Sequence, residues 1–324
     1  MRWLSAIVGA SIALSAIDAA IAADADDYPK RPVKLVIPNA PGSSNDVLTR
    51  ILAQYLGEEL GQNVVVENVA GASGLVGMEM GKNASPDGYT LIAASPSGTT
   101  LAASLRKNLS YDPLNDFQYI ALYAVLPNLL VVNPQLPVKT LPELIDYVRS
   151  AKGDVFMASA GPGSQSHLGG VMLQQMGKFA SVHVPYKGGG PQVLAVMSGE
   201  AQWTITPASS VIGHVRSGRL RAIAHSLPQR TPTLPGVPAV SETLPGYSFS
   251  AWNGLLAPKA TPAAIVNKVR AALGKALARP EVKDGFARQG AEAVIDTPEE
   301  FRRMVASEIE TTTAIVKATN LQID

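Results

Sequence analysis

One local pattern occurs twice in this chain, and it limits the possible folds more than any other feature. The first copy is an apolar strand, Lys34–Pro38, then Asn39-Ala40-Pro41-Gly42-Ser43-Ser44-Asn45, then a helical run from Asp46. The second is Val155–Ala158, then Ser159-Ala160-Gly161-Pro162-Gly163-Ser164-Gln165-Ser166, then a helical run from His167. Each reads as a strand, a Pro-Gly-Ser loop and a helix start. The small side chains let a ligand approach the backbone. Free N–H groups and the positive end of the helix dipole attract a carboxylate or phosphate. One such loop alone is an ordinary βα turn. Two of them, at the expected carboxyl ends of parallel strands, predict two lobes closing on one small anionic molecule.

The rest of the chain alternates in the same way. Val33–Ile37 is an apolar strand, and Asp46–Leu60 carries apolar residues at i, i+3, i+4 spacing. Asn63–Asn68 and Tyr89–Ala94 are strands, the latter ending at Ser95-Pro96-Ser97-Gly98, with a helix from Gly71–Gly74 through Met80 between them. This order predicts a mostly parallel α/β sheet flanked by helices. Phe117–Asn133 is long and apolar, with an expected break at Pro127-Asn128, and could cross between lobes. A second α/β unit runs from Val155 to about Leu227, after a helix over Val138–Ala151. Tyr247–Ala257 is strand-like and could cross back; Pro262–Leu277, Pro280–Gln289 and Pro298–Ala318 read as closing helices with Pro near each start. The expected division is residues 24–125 plus 250–324 as a discontinuous first domain and 126–249 as the second. Paired crossings make a hinge.

Several function classes are disfavoured. Net charge is +1, aromatics are 6%, and no basic block occurs, which argues against nucleic acid as a partner. The chain has no cysteine, so disulfides, thiol chemistry and Cys-based metal sites are excluded. The spacing of His167, His183, His214 and His225 suggests no metal site, and no cofactor is expected. His167 reads as a donor or cap at its helix start, and His183 as a strand residue between Val182 and Val184. No Gly-x-Ser-x-Gly elbow and no Gly-x4-Gly-Lys-Ser/Thr loop is present. Gly161-Pro-Gly-Ser-Gln-Ser166 is a near miss for a dinucleotide loop, with Ser at the third Gly position. Residues 1–22 read as an export leader: Met1-Arg2, a short apolar stretch Leu4–Ile17, and Ala20-Ile21-Ala22 as a cleavage signal. A periplasmic location follows as an expectation. In Val184-Pro-Tyr186-Lys187-Gly-Gly-Gly190-Pro191 the glycines allow a tight turn. Lys187 has the length to reach an anion but is read here as solvated.

These segments together resemble the periplasmic solute-binding proteins of tripartite tricarboxylate transporters, the Bug family. The resemblance spans nearly the whole mature chain. It rests on Tyr28-Pro-x-Arg31-Pro32, the Pro38–Asp46 loop, Val66-Glu67-Asn68, Pro86-Asp-Gly-Tyr89-Thr and Tyr111-Asp-Pro-x-x-Asp116-Phe. It continues through Ser159-Ala-Gly-x-Gly-Ser164-x-Ser-His167-Leu168, His183-Val-Pro-Tyr-Lys-Gly-Gly189, Leu234-Pro-x-Val237-Pro, Leu244-Pro-Gly-Tyr247 and Thr297-Pro-Glu-Glu-Phe301.

The resemblance implies a two-lobed fold without catalysis. It implies capture of an organic carboxylate and delivery to a membrane permease of one large and one small subunit, by a monomeric binding protein. The family holds its carboxylate with backbone amides and small side chains of the two loops. With neighbouring loop positions, the candidate ligand-binding set is Asn39, Ala40, Pro41, Gly42, Ser43, Ser44, Asn45, Ser95, Ser159, Ala160, Gly163, Ser164, His167, Tyr186 and Thr206. This chain departs from the family loop Pro-aromatic-Pro-Pro-Gly-Gly-Ser by carrying Asn39 for the aromatic residue and Ser43 for the second Gly. Where many members carry Asp-Asn, it has Thr206-Pro207, which argues against an amino-acid ligand. The two receptors favour a dicarboxylate, aliphatic or aromatic. An α/β enzyme acting on a small anion and a ligand sensor for a membrane receptor are the alternatives.

Overall fold

The computed structural model describes residues 27–231 and 233–319; the leader reading lies outside them. The chain opens with β1 (Val33–Ile37), α1 (Ser44–Leu60), β2 (Val64–Asn68), α2 (Leu75–Lys82), β3 (Thr90–Ala94) and α3 (Thr100–Leu105). The middle runs β4 (Phe117–Val132), α4 (Leu141–Ser150), β5 (Phe156–Ser159), α5 (Gln165–Gly177), β6 (Val182–Pro185), α6 (Gly189–Ser198), β7 (Trp203–Pro207), α7 (Ala208–Arg216) and β8 (Arg221–His225). The chain closes with β9 (Ser250–Pro258), α8 (Ala263–Ala278), α9 (Pro280–Arg288), β10 (Glu292–Ala293) and α10 (Pro298–Thr319).

Helix α1 starts two residues before the expected Asp46 because Ser43 caps it: the Asp46 N–H donates to Ser43 Oγ. The helix buries Leu48, Leu52 and Leu56 on one face and stops at left-handed Gly61. The strands form one continuous path, β2-β1-β3-β9-β4-β7-β5-β6, with β8 and β10 also pairing β4. Pairs β1–β2 and β1–β3 are parallel, as are β5–β6 and β5–β7. The crossing strands β4 and β9 are antiparallel to their neighbours and to each other.

The expected break at Pro127-Asn128 does not occur. Strand β4 runs straight through, and what changes there is its partner. Pro127 is the last residue paired to β9, opposite Ser250, and Asn128 is the first paired to β7, opposite Pro207. The missing proline N–H falls where one ladder hands over to the next, so it costs little. Asn128 secures the handover: its backbone N–H donates to Ser226 Oγ at 2.8 Å and its amide to Phe249 O at 2.6 Å.

The buried apolar residues gather into two sets of clusters. One set of clusters gathers Leu35, Leu52, Ile120, Leu255 and Phe286, with Met78, Ile92, Trp252 and Phe301 on the opposite sheet face. The other gathers Leu130, Val138, Leu173, Trp203 and Ile223, with Leu129, Val193 and Val211 opposite. Each lobe is thus a sheet with buried apolar residues on both faces, as an α/β sheet requires. Leu101 and Leu105 of α3 pack into the second lobe's core from the first.

Candidate functional site

A cavity of about 660 Å³ lies between the lobes. The first lobe lines it with residues 38–40 and 43–45, the 70–74 segment, residues 95–97 and Arg106; the crossing strand adds Ala251, Trp252 and Asn253. The second lobe contributes residues 160–162, 164–166 and 186–189, with Thr206, Pro207 and Ser210. Among the described residues, its ionisable charged lining is basic: Arg106 and Lys187, with no carboxylate.

The first loop keeps open donors. The Ser44 and Asn45 N–H groups head α1 with no partner among the described residues, because Val47 is the first to bond back, to Ser43 O. Gly42 is different: its N–H donates to Asp46 Oδ2 at 2.9 Å. Asp46 is 5% exposed, and its charge is answered by Arg50 at 2.8 Å and by the Asn68 amide. The helix end therefore keeps two free donors beside a neutralised carboxylate.

Beneath the loop Asn45, 3% exposed, is a hydrogen-bond hub. Its Nδ2 donates to Asn39 Oδ1 at 2.9 Å and to Ala93 O at 2.6 Å. Its Oδ1 accepts from Thr49, Tyr123 and Asn253. Asn39 Oδ1 also accepts from Ser95 Oγ, which leaves the Asn39 NH₂ group without a partner among the described residues. Asn253 Oδ1 is buried and likewise unpartnered, an acceptor on the cavity wall.

The second loop has mostly closed on itself. Ser166 Oγ accepts the Ala160 N–H at 2.9 Å and lies 3.1 Å from Gln192 Oε1. Ser159 Oγ accepts the Gly161 N–H, and His167 Nδ1 accepts the Gly163 N–H at 3.2 Å. Ser164 caps α5 by accepting the His167 N–H, and the Gln165 N–H reaches Ser97 Oγ of the other lobe at 3.3 Å. Only the Ser166 N–H of this helix start lacks a partner among the described residues. His167 stacks on His183 with ring centroids 4.0 Å apart. Burial, then the neighbouring imidazole, lowers the His167 pKa to about 4, so the pair is neutral at pH 7.

The lobes touch through small groups. Ser44 Oγ and Ser209 Oγ are 2.5 Å apart, and Ser73 Oγ donates to Pro162 O at 2.6 Å. Ser73 gets there on a strained segment: Ala72 and Ser73 both have left-handed backbones, at φ 46 and 59. A Cβ on Gly188 would lie 2.4 Å from Ala40 Cβ, and one on Gly190 would lie 3.0 Å from Pro41 O. The glycine turn after Tyr186 is therefore what lets the second lobe sit against the first loop.

The fifteen candidate residues separate into two groups. Asn39, Ala40, Ser43, Ser44, Asn45, Ser95, Ala160, Ser164, Tyr186 and Thr206 line the cavity. Pro41, Gly42, Ser159, Gly163 and His167 do not; the last three build the second loop from behind. Tyr186 reaches the cavity, but its hydroxyl is close enough to the Glu200 carboxylate for that charge to help burial raise its pKa to about 12. Lys187, read from the sequence as solvated, is exposed and lines the cavity. The sequence reading missed Arg106, Ser73, Trp252 and Asn253. Asn253 had a signal: it is an amide in the middle of an apolar strand already read as a crossing between lobes.

Comparisons with known proteins agree on what this arrangement is. The family model of the tripartite tricarboxylate transporter family receptor matches residues 48–321. The protein BugT of Bordetella pertussis is 36% identical over 325 residues, covering all of this chain and 99% of that one. An R. palustris protein solved with adipate superposes with a TM-score of 0.87 at 30% identity, over 91% of this chain and 99% of that one. MatC of Rhodopseudomonas palustris, solved with bound malate, gives 0.85 at 32%, over 89% and 100%. The chain belongs to the tripartite tricarboxylate transporter receptor family, whose members are periplasmic solute-binding receptors and not enzymes.

Proposed function

We propose that this protein captures a small organic carboxylate by closure of its lobes and delivers it to a membrane permease of one large and one small subunit. The observation that carries the reading is the first loop: two unclaimed N–H groups at the start of α1, facing a cavity whose charged lining is wholly basic. A carboxylate accepting those N–H groups gains from the hydrogen bonds and from the helix dipole. Asn39, Ser43 and Ser95 supply further polar contacts, and Trp252 with the alanines packs the carbon skeleton.

The ligand is a dicarboxylate. Relatives hold malate and adipate, and the cavity is ample for either. Thr206, and no carboxylate, lines the wall, which favours a nitrogen-free ligand over one with an ammonium group. Residues 24–125 plus 250–324 move against 126–249, about a hinge in the crossing strands, and binding shifts the population toward the closed form. Residues 1–22 direct export and are removed, which leaves a monomer in the periplasm. A melting screen over aliphatic and aromatic mono- and dicarboxylates tests the reading. A ligand at about 100 times its Kd adds roughly 2.7 kcal/mol to the folded state. Absence of any shift across the panel would overturn it.

A further inference from the structure

The second anionic group of the ligand needs a partner, and the second helix start is poorly equipped to be one. Its loop N–H groups are bonded internally or to Ser97, leaving the Ser166 N–H alone. Arg106 is differently placed. It follows α3, the helix whose Leu101 and Leu105 pack into the second lobe's core, so it stands on the seam between lobes. It lines the cavity and is part-buried. Its guanidinium makes no hydrogen bond or ion pair among the described residues. Its charge reaches Tyr111, whose phenol donates to Gly98 O at 2.6 Å beside the Pro96–Gly98 turn at the cavity edge; burial raises the Tyr111 pKa and Arg106 opposes the rise.

We propose that Arg106 is the specificity-determining residue for the ligand's second negative group, so that the protein selects dianions long enough to span from the α1 start to the end of α3. The inference rests on the carboxylate reading of the first loop. A half-buried guanidinium without an acid partner has already lost part of its hydration. Its planar fork suits a carboxylate held bidentately. Lys187, exposed on the other lobe, is a weaker rival because its ammonium stays hydrated.

The test uses the mature protein and titration calorimetry. The probes are straight-chain dicarboxylates from succinate to suberate with their monomethyl esters, and terephthalate with benzoate. The unmodified protein is expected to bind its best diacid at least about tenfold more tightly than the matching monoanion, a gap of roughly 1.4 kcal/mol. Arg106→Gln should abolish that ratio by weakening the diacid far more than the monoanion, and leave unliganded melting unchanged. Arg106→Lys should restore much of the ratio. A ratio that survives Arg106→Gln, or an equal weakening of diacid and monoanion, overturns the role of Arg106. Equal binding of diacid and monoanion by the unmodified protein overturns it too, while leaving carboxylate capture intact. No binding of any probe would instead remove the carboxylate reading itself.

Discussion

The two Pro-Gly-Ser loops begin from similar sequence and end in opposite hydrogen-bond states. Both follow a parallel strand, both are capped by a serine, and both open a helix. In the first, the Ser44 and Asn45 N–H groups stay free. In the second, Ser159, Ser166 and His167 turn inward and take the N–H groups of Gly161, Ala160 and Gly163. A strand–loop–helix pattern therefore specifies where a receptor can form. The side chains within the loop decide whether its donors remain available to a ligand.

The largest expected effect lies at the hub of the open loop. Asn45→Ala strips partners from Asn39, Thr49, Tyr123 and Asn253 at once. It should cost about 2–4 kcal/mol of stability in urea unfolding. A loss under about 1 kcal/mol would mean the first loop is not held from below. Next comes the contact between the glycine turn and the first loop. Gly190 is helical, so Gly190→Val keeps the fold, but its side chain meets Pro41 O. Ligand affinity should fall about tenfold or more, roughly 1.4 kcal/mol, with unliganded melting maintained. Unchanged affinity would show that binding does not require this closure.

The closed loop should respond differently. Ser164 acts mainly as a cap, so Ser164→Ala should lower stability by about 1 kcal/mol and change affinity less than about twofold. A large affinity loss with intact melting would make the second loop a receptor equal to the first. The last effect is in pH. His167 ionises near 4 in the fold, against an ordinary value of 6.5. The unfolded chain therefore takes up its proton first, and stability falls as pH drops from 6.5 towards 4. Glu308 works the other way: burial raises its pKa to about 7, so it contributes stability below about 4.5 and loses that contribution by 7. Glu308→Gln should raise melting at pH 8 more than at pH 5. His167→Gln should flatten the acid limb. An acid limb unchanged in His167→Gln would disconnect the second loop from pH.

Much of the architecture was legible in the sequence because apolar periodicity and Pro-Gly punctuation report local structure directly. The two loops, the crossing strands and the late helices all surfaced that way. The misread break at Pro127 shows the limit. A proline marks a missing donor, but whether a strand ends there depends on which neighbour would have received the bond. The site was less legible for the same reason. His167 looks like a ligand donor in a linear reading, and only the folded loop reveals that its Nδ1 already accepts the Gly163 N–H. Arg106 sits outside both loops, just after a short helix whose packing against the other lobe has no local signature.

Trp252 has a consequence of another kind. It lines the cavity, and its indole N–H donates at 2.6 Å to Glu308, a carboxyl that ionises near neutrality. The other described tryptophan, Trp203, is sealed in the second lobe's core. The molecule thus carries a built-in optical probe at its cleft. Light emitted by this one ring should register an occupant on one side and a proton on the other, with Trp203 as a constant background.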